Sequence, residues 1–402
     1  MFKIVLLLLN IIHIKKHMQK VPEQFVQQIN LPDHLKAQRY TITKNIFSII
    51  TIIIHASILL LWLFAGGLSK LELFWTQQQL TPIWLGICFI MSFSLINSLL
   101  SLPETLYSTF IIEQRYGFNK TTPRLFIIDQ VKQFILSITL GVPLLYGILY
   151  FLGETGPLWW FYTWIFLILF QFLIIWAYPK FIAPFFNKFT PLDSPELVKE
   201  IDHLSKKIDI QFKDYYAMNA SIRSSHGNAY FTGFGKNKRI VFFDTLIETL
   251  NINEVIAVLA HELGHLKKKH IIKSIIIGVI SMFIGFYILG QLYNSPEFFE
   301  AFNITSQTGY MALILFMLIS PAYMYFLTPF SSYFSRKNEF EADYFAAEYT
   351  NANDLVSALL KMYKDNSSSL TPHPIYSKFY FSHPPASERV LFLENLAKKF
   401  NS

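Results

Sequence analysis

The 402-residue chain is 52% hydrophobic and 17% aromatic but only 15% charged, whereas soluble domains contain about 25% charged residues. This composition excludes an ordinary soluble protein and indicates an integral membrane protein. The single cysteine, Cys88, excludes both a disulfide framework and a thiolate metal cluster. Any metal must therefore be held by histidine and carboxylate side chains.

Six apolar runs have about the 20 residues that a helix needs to cross a bilayer. They lie at residues 46–66, 82–102, 133–152, 158–178, 271–293 and 309–330. A seventh run, residues 2–14, is interpreted as a short first span rather than a signal peptide, because no small-residue cleavage site follows it. The sequence therefore predicts an all-α integral membrane protein with about seven transmembrane helices.

The basic residues are distributed unevenly between the two sides of these spans. Connecting segments alternate sides, and 32 of the 34 Lys and Arg lie in or beside residues 15–45, 103–132, 179–270 and 331–402. Because positively charged loops remain in the cytoplasm, that side is predicted to be cytoplasmic. The net charge of +7 is explained by this asymmetry and by contact with the lipid bilayer, so no nucleic-acid partner is expected.

Polar and apolar segments divide the chain into four predicted parts. These are N-terminal spans 1–5 with their loops (1–178), a polar segment (179–270), a membrane hairpin (271–330) and a C-terminal polar segment (331–402). In the polar segment, Ser194 followed by Pro195 and Glu196 predicts a helix start. The stretch "NAYFTGFGKNKRIVFFD" predicts a small β-hairpin that turns at Gly235–Asn237.

The stretch "HELGH" places two histidines at metal-binding spacing. His261 and His265 are four residues apart, so on a helix their imidazoles leave the same face and can share one ion. Glu262, beside the first histidine, can reach a water molecule at that ion. This pattern predicts a metal site at the boundary between the polar segment and a span.

A catalytic zinc needs a third protein ligand and an open position. The stretch "SRKNEFEADYFAAEY" offers Glu339 or, on composition alone, Glu341. Asp343 can accept a hydrogen bond from a ligand imidazole, and Arg336 and Arg389 can pair with the carboxylates. The competing interpretation is a solvated acidic helix face. Since a membrane hairpin separates this stretch from "HELGH", both return to the same side, where one site can form.

His55 lies in the middle of a predicted span. An ionisable group there is costly against lipid and typical of a hydrated cavity. The simpler interpretation is a neutral histidine bonded to a neighbouring helix.

Further stretches carry a resemblance to a known family. They are "IIEQRYGFNKTT" (111–122), "YPKFIAPFFNKFTPL" (178–192), "RSSHGNAYFTGFGKNKRIVFFDTL" (223–246), "SRKNEFEAD" (335–343) and "SHPPASER" (382–389). Together with the HExxH and ExxxD motifs they make most of the chain resemble the type I CAAX prenyl proteases, which are integral membrane zinc metallopeptidases. The stretch "VPEQFVQQINLPDHLKAQRYTITK" is more similar to bacterial members of that family.

The resemblance implies long helices around a large water-filled chamber, capped at its cytoplasmic end by a zinc metalloprotease domain. It implies that His261, His265 and Glu339 bind one zinc ion and that Glu262 is the catalytic glutamate. It also implies that residues of the "HPP" and "NAYF" segments, His383 and Asn228, contact the substrate backbone near the metal.

Two of these segments also have an interpretation from their residues. His383 is a candidate donor to the oxyanion that develops during peptide hydrolysis, or else a histidine that caps a helix before two prolines. The strand Asn228, Ala229 and Tyr230 can pair with an extended substrate, or else is simply part of a small sheet.

The expected function is that of a membrane-embedded zinc endopeptidase acting, as a monomer, on polypeptide or prenylated peptide substrates. The resemblance to bacterial members predicts an inner-membrane location, with the zinc site on the cytoplasmic side, and a role in membrane protein quality control or processing. One competing interpretation is a site-2-type protease, whose HExxH motif lies inside a span. The other is a transporter or scaffold that has retained the metal site.

Overall fold

A computed structural model of the protein describes residues 1–232 and 239–400. Its helices are α1 (Phe2–His17), α2 (Leu31–Phe64), α3 (Gly67–Thr76), α4 (Pro82–Tyr107), α5 (Gln114–Tyr116), α6 (Pro123–Glu154), α7 (Trp159–Ala177), α8 (Ala183–Phe186), α9 (Pro195–Lys207), α10 (Asp244–Thr249), α11 (Ile252–Lys267), α12 (His270–Tyr293), α13 (Pro296–Glu300), α14 (Gly309–Met324), α15 (Thr328–Tyr349), α16 (Ala352–Asp365), α17 (Pro374–Tyr380) and α18 (Ala386–Phe400). Its strands are β1 (Phe189–Pro191), β2 (Asp214–Met218), β3 (Ala229–Thr232) and β4 (Arg239–Phe243). The chain is mostly helical, as predicted, with one small sheet.

Among the described residues, six continuous helical segments are long and apolar enough to cross a membrane, and each overlaps one predicted run. They are Leu31–Phe64, Pro82–Tyr116, Pro123–Glu154, Gly156–Phe186, His270–Tyr293 and Gly309–Tyr349. The seventh predicted run forms α1, which packs against α2 but has 16 residues, fewer than the about 20 of a typical span. A crossing by α1 stays a prediction.

The membrane helices are arranged in a ring. α4, α6, α7, α12 and α14 contact one another in that order, and α14 returns to α4. α2 joins α4 through the indole of Trp62, which donates to Asn97 Oδ1 at 3.2 Å. At most 28% of the most apolar part of any of these helices is buried inside the protein, so most of this apolar surface is available to lipid or to the space inside the ring.

One apolar cluster closes the ring at one end. It contains side chains from the last turns of α2 and α6, such as Leu63 and Leu149, and from the first turns of α4 and α14, such as Phe89 and Met311. Successive spans therefore run in opposite directions, as the predicted alternation of loops requires. The opposite helix ends meet the polar segments of the chain.

The mid-span histidine pairs with a neighbouring helix. His55 Nε2 on α2 lies 2.8 Å from Glu104 Oε2 on α4, and the two side chains are 53% and 32% exposed. Because polar side chains are costly against hydrocarbon, this exposure supports a hydrated space beside α2 and α4.

The two polar segments, 179–270 and 331–402, form one domain with a shared core. Ile240, Phe242 and Leu259 from the first segment pack with Leu355 and Leu393 from the second, and all five are almost completely buried. The hairpin α12–α14 thus leaves this domain and returns to it. The division of the chain into four parts stays a prediction, but two of those parts share one core.

The sheet is larger than the predicted hairpin. Its strand order is β1-β2-β4-β3, with β2 parallel to β4 and the other neighbours antiparallel. β3 and β4 form the two arms of the predicted hairpin, whereas its turn at Gly235–Asn237 lies outside the described residues. The sequence did not predict β1 and β2, because neither is a long run of alternating apolar residues.

Helix α11 is defined at both ends by local chemistry. Asn251 accepts a hydrogen bond from the backbone of Glu254, whose side chain bonds back to Asn251, completing a capping box. At the other end, Lys269 adopts a left-handed conformation with φ of 59°. This residue separates α11 from the membrane helix α12, so the chain turns between "HELGH" and the span. The helix at Pro195, capped by Ser194, also forms as predicted.

Candidate metal centre

His261 and His265 project from one face of α11, as their spacing predicts. Their Nε2 atoms lie 3.2 Å apart. Helix α15 crosses this face and brings Glu339 to the pair, with Oε2 3.4 Å from His261 Nε2 and Oε1 3.3 Å from His265 Nε2. One ligand atom from each of the three residues lies within 4.8 Å of the others.

The same group has the electrostatics of a cation site. Burial opposes ionisation of Glu339, but His261 and His265 hold the pKa of its carboxyl well below the ordinary value. Burial also lowers the pKa of His261, yet the nearby carboxylates of Asp343 and Glu339 outweigh this effect and raise that pKa to about 9. The group therefore attracts positive charge.

One carboxylate oxygen of this group lacks a hydrogen-bond partner within the described part of the chain and could accept a cation. Glu339 Oε2 is buried and accepts no hydrogen bond from the described residues. It lies 2.7 Å from His383 Nδ1 and 3.4 Å from His261 Nε2. Two imidazoles and one carboxylate also form the donor set of catalytic zinc sites. These residues fit a divalent metal ion.

Asp343 contacts the Nδ1 side of the His261 ring, and Arg389 contacts Asp343. Asp343 Oδ1 lies 2.8 Å from His261 Nδ1, and Arg389 Nε donates to Asp343 Oδ2 at 2.8 Å. Burial raises the pKa of Asp343, but Arg389 and His261 outweigh this effect and lower it. Arg389 Nη1 also approaches Glu339 Oε2 at 3.7 Å. The carboxylate of Asp343 therefore fixes the orientation of the His261 ring.

Arg336 and Glu341 are not part of this group. Arg336 Nη1 donates to the carbonyl oxygens of Lys378 and Phe381, at 3.0 and 2.8 Å, and so anchors the segment that leads to His383. Glu341 Oε2 lies 3.1 Å from His270 Nε2. Of the two carboxylates considered as the third ligand, the structure brings Glu339 to the histidines.

His270 was not predicted as a functional residue. It is the first residue of α12 and is buried, and its Nδ1 lies 2.9 Å from His265 Nδ1. The only sequence signal was a histidine just beyond the lysines of "HELGHLKKKH". Reading it as part of the site would have required knowing that the chain turns back at Lys269.

Two predicted catalytic side chains lie at the open side of the group. Glu262 is partly exposed beside His261 and has no hydrogen bond or ion pair with the described part of the chain. The His383 side chain is 63% exposed and reaches Glu339 through Nδ1. Glu262, next to His261, and Nε2 of His383, whose ring adjoins Glu339, therefore have no hydrogen-bond partner among the described residues.

The predicted substrate-binding segment lies at the edge of the sheet. β3 pairs with β4 on one side and has no partner strand on the other among the described residues. Asn228 is exposed, Ala229 is buried in the core that contains α11, and Tyr230 is half-buried. β3 also contacts α11. An unpaired strand edge therefore lies beside α11, the helix that carries His261 and His265.

Comparison with known families covers nearly the whole chain. Residues 10–188 match a family described as CAAX prenyl protease N-terminal, five membrane helices. Residues 191–397 match peptidase family M48. The boundary between the two matches falls where the membrane helices give way to the first strand.

Individual relatives agree with these matches. The chain is 35% identical to a CAAX prenyl protease 1 homolog of Arabidopsis thaliana, covering 94% of this chain and 91% of that protein. It is 32% identical to the Homo sapiens homolog, covering 94% and 89%. The crystal structure of S. mikatae Ste24p superposes with a TM-score of 0.93 at 29% identity, covering 98% and 96% of the two chains. The chain therefore belongs to the CAAX prenyl protease 1 family of M48 peptidases and is a membrane metallopeptidase.

Proposed function

We propose that the protein is a zinc endopeptidase that cleaves peptide bonds beside His261, His265 and Glu339. The observation that carries this proposal is the convergence of two imidazole Nε2 atoms and one buried carboxylate on a single point. Zinc is the metal proposed because a tetrahedral set of two histidines and one carboxylate, with one open position, suits it best.

The residues around the group suit peptide hydrolysis. A zinc ion at this point would activate water and polarise the scissile carbonyl. Glu262 is the proposed general base, taking a proton from the attacking water and delivering it to the leaving amine. His383 is the proposed donor to the oxyanion, since its ring is exposed and adjoins Glu339.

The substrate is proposed to bind as an extended peptide along β3. The free edge of this strand offers backbone donors and acceptors to an added strand, which would hold one peptide bond in register. Asn228, Ala229 and Tyr230 are the proposed contact residues. Both prenylated and unprenylated polypeptides remain candidate substrates, and quality control or processing of membrane proteins in a bacterial inner membrane remains the predicted role.

Purified protein in detergent tests the activity. We expect cleavage of a fluorogenic peptide that is abolished by a chelator and restored by zinc. Glu262→Gln should lower kcat about 10²- to 10⁴-fold while leaving zinc bound, since it removes only the base. Glu248→Gln, on the exposed surface of α10, is the matched control. Full activity of Glu262→Gln would exclude the proposed base, and a transporter or scaffold would predict no cleavage in any variant.

Parallel assays define substrate and assembly. Prenylated and unprenylated versions of one peptide should be compared, and proteins held by Glu262→Gln in cells should be identified. The molar mass of the purified protein tests the proposed monomer. Cleavage restricted to prenylated peptides would contradict a general quality-control role.

We also propose that the metal centre faces the cytoplasm. This proposal is supported by the basic residues that cluster on its side of the spans. In a Cys88→Ser background, a membrane-impermeant maleimide added to intact cells should label Lys70→Cys but not His203→Cys. The reverse labelling pattern would invert the topology.

A further inference from the structure

His265, the second histidine of "HELGH", contacts His270, which in turn contacts Glu341. His265 Nδ1 lies 2.9 Å from His270 Nδ1, and His270 Nε2 lies 3.1 Å from Glu341 Oε2. His270 is 4% exposed, and the side chain of Glu341 is 36% exposed. This series of side-chain contacts therefore runs from the metal group to the protein surface.

Metal binding by His265 would fix which ring nitrogens of His265 and His270 carry a proton. If His265 binds a metal through Nε2, its Nδ1 must carry the proton and donate it, so His270 Nδ1 must accept. A neutral His270 that accepts at Nδ1 carries its own proton on Nε2. That N–H points at a carboxylate oxygen of Glu341, which accepts. Each donor has an acceptor, and only one tautomer of each ring satisfies this series of contacts.

The geometry of α15 explains why an intermediate residue is present. Asp343, one turn beyond Glu339, lies on the same helix face and reaches His261 directly. Glu341 is two residues from Glu339, about 200° around the helix, so it faces another direction. His270 fills the gap between this carboxylate and His265. Both metal-binding histidines are thus supported by α15, one directly and one through His270.

We propose that His270 and Glu341 are positioning residues that orient His265 for metal binding. This inference rests on the proposed metal site. Because His270 is the first residue of α12, one ligand of the centre is held by the end of a membrane helix. The left-handed residue Lys269 makes this contact possible by turning the chain back toward α11. The orientation of a ligand therefore depends on where the span begins.

The test measures zinc affinity of the purified, full-length protein by competition with a chromophoric chelator. His270→Leu removes the acceptor, and we expect a loss of affinity of about 10- to 100-fold, the usual effect of removing such a partner. His270→Asn retains an acceptor near the position of Nδ1 and should recover part of the loss. A purely structural role would not distinguish these two variants. The absorption spectrum of the cobalt-substituted protein should change in His270→Leu for the same reason.

Glu341→Leu keeps the proposal testable if the His270 variants fail to fold. This side chain is partly exposed, so its replacement leaves the core intact. We expect a smaller loss of zinc affinity than in His270→Leu, because His270 stays in place but loses its orienting acceptor. Glu348→Leu, at an exposed position on the same helix, is the matched control and should retain wild-type affinity.

The outcomes separate this inference from the proposed function. If the wild-type protein bound no zinc, the metal site and the proposed function would both fail. If the wild type bound zinc and cleaved peptides while folded His270→Leu and Glu341→Leu kept wild-type affinity and an unchanged cobalt spectrum, only the positioning role would be overturned.

Discussion

Gly264, the fourth residue of "HELGH", lies where α11 and α15 touch. A Cβ added there would lie 2.9 Å from Ala342 Cα and 3.2 Å from the Ala342 carbonyl oxygen. Ala342 is itself completely buried. The backbones of α11 and α15 therefore meet without an intervening side chain. This close approach brings Glu339, less than one turn before Ala342, within reach of the histidines.

Gly264→Ala tests this contact. Alanine favours a helix by about 1 kcal/mol over glycine. Here the clash with backbone atoms should outweigh that gain, destabilise the protein by about 1 to 3 kcal/mol and weaken zinc binding by moving Glu339. Thermal unfolding and chelator competition measure the two effects.

Gly278→Ala is the control, because a Cβ at Gly278 on α12 would meet nothing within 4 Å. It should leave the melting temperature unchanged or raise it. Equal behaviour of the two variants would show that α11 and α15 do not require their close approach.

At the scale of the element, the start of helix α11, which carries His261 and His265, is stabilised by a buried carboxylate in its first turn. Glu254 is 2% exposed and accepts hydrogen bonds from Lys361 Nζ at 2.7 Å, Ser357 Oγ at 2.6 Å and the Asn251 backbone at 2.9 Å. Burial raises the pKa of Glu254, but these donors outweigh it and lower the pKa below 4.5. The start of α11 is thus tied to α16 across the core.

The sign of this shift predicts a pH dependence. Because the folded-state pKa is lowered, the stabilisation is present above the ordinary pKa of 4.5 and is lost as the pH falls through the folded-state value. Glu254→Gln should therefore destabilise the metal-free protein at pH 7 by about 1.5 to 3 kcal/mol, the contribution of a hydrogen bond to a charged group. The difference from wild type should shrink as the pH is lowered below 4.5.

Thermal unfolding of the metal-free protein across this pH range measures the effect. Glu248→Gln, on an exposed face of α10, should differ little from wild type at any pH. A Glu254→Gln deficit that stayed constant down to strongly acid pH would rule out ionisation of Glu254 as its source.

At the scale of the whole molecule, Arg223 joins the protease domain to the membrane helices. Its Nε and Nη2 donate to the two oxygens of Asp129 on α6, at 2.8 and 2.9 Å. Nη2 also donates to the carbonyl of Phe186 at 2.8 Å, and Nη1 to Asn187 Oδ1 at 2.9 Å. Its own carbonyl accepts from the backbone of Lys120. The side chain of Arg223 thus connects α6 and the end of α8, and its carbonyl adds the loop before α6.

A double-mutant cycle of Arg223→Met and Asp129→Asn measures this connection. We expect a coupling free energy of about 1.5 to 3 kcal/mol, because the pair is mostly buried and bidentate. The pair Arg239 and Asp214, 35% and 33% exposed, is the control and should couple by less than about 1 kcal/mol. Equal coupling in the two cycles would mean that Arg223 does not hold the two parts together.

Local patterns predicted much of this architecture. The apolar runs predicted the membrane helices because crossing a bilayer requires a fixed length of apolar chain. The spacing of His261 and His265 predicted a shared site because helical geometry alone places them on one face. Counting basic residues predicted that four polar segments lie on one side of the membrane, and two of them, 179–270 and 331–402, share one core.

Other features depend on contacts between distant segments, which no local pattern contains. Glu339 and Glu341 are the same residue type in one short stretch, so the sequence alone does not distinguish them. The packing of α15 on α11 brings Glu339 to the histidine pair and directs Glu341 to His270. His270 contacts His265 where the helix is interrupted at Lys269, a break that the sequence pattern did not predict. By itself the sequence determined the membrane helices and the metal-binding motif, whereas tertiary structure decided which side chains complete the centre, since that choice depends on how helices far apart in sequence pack together.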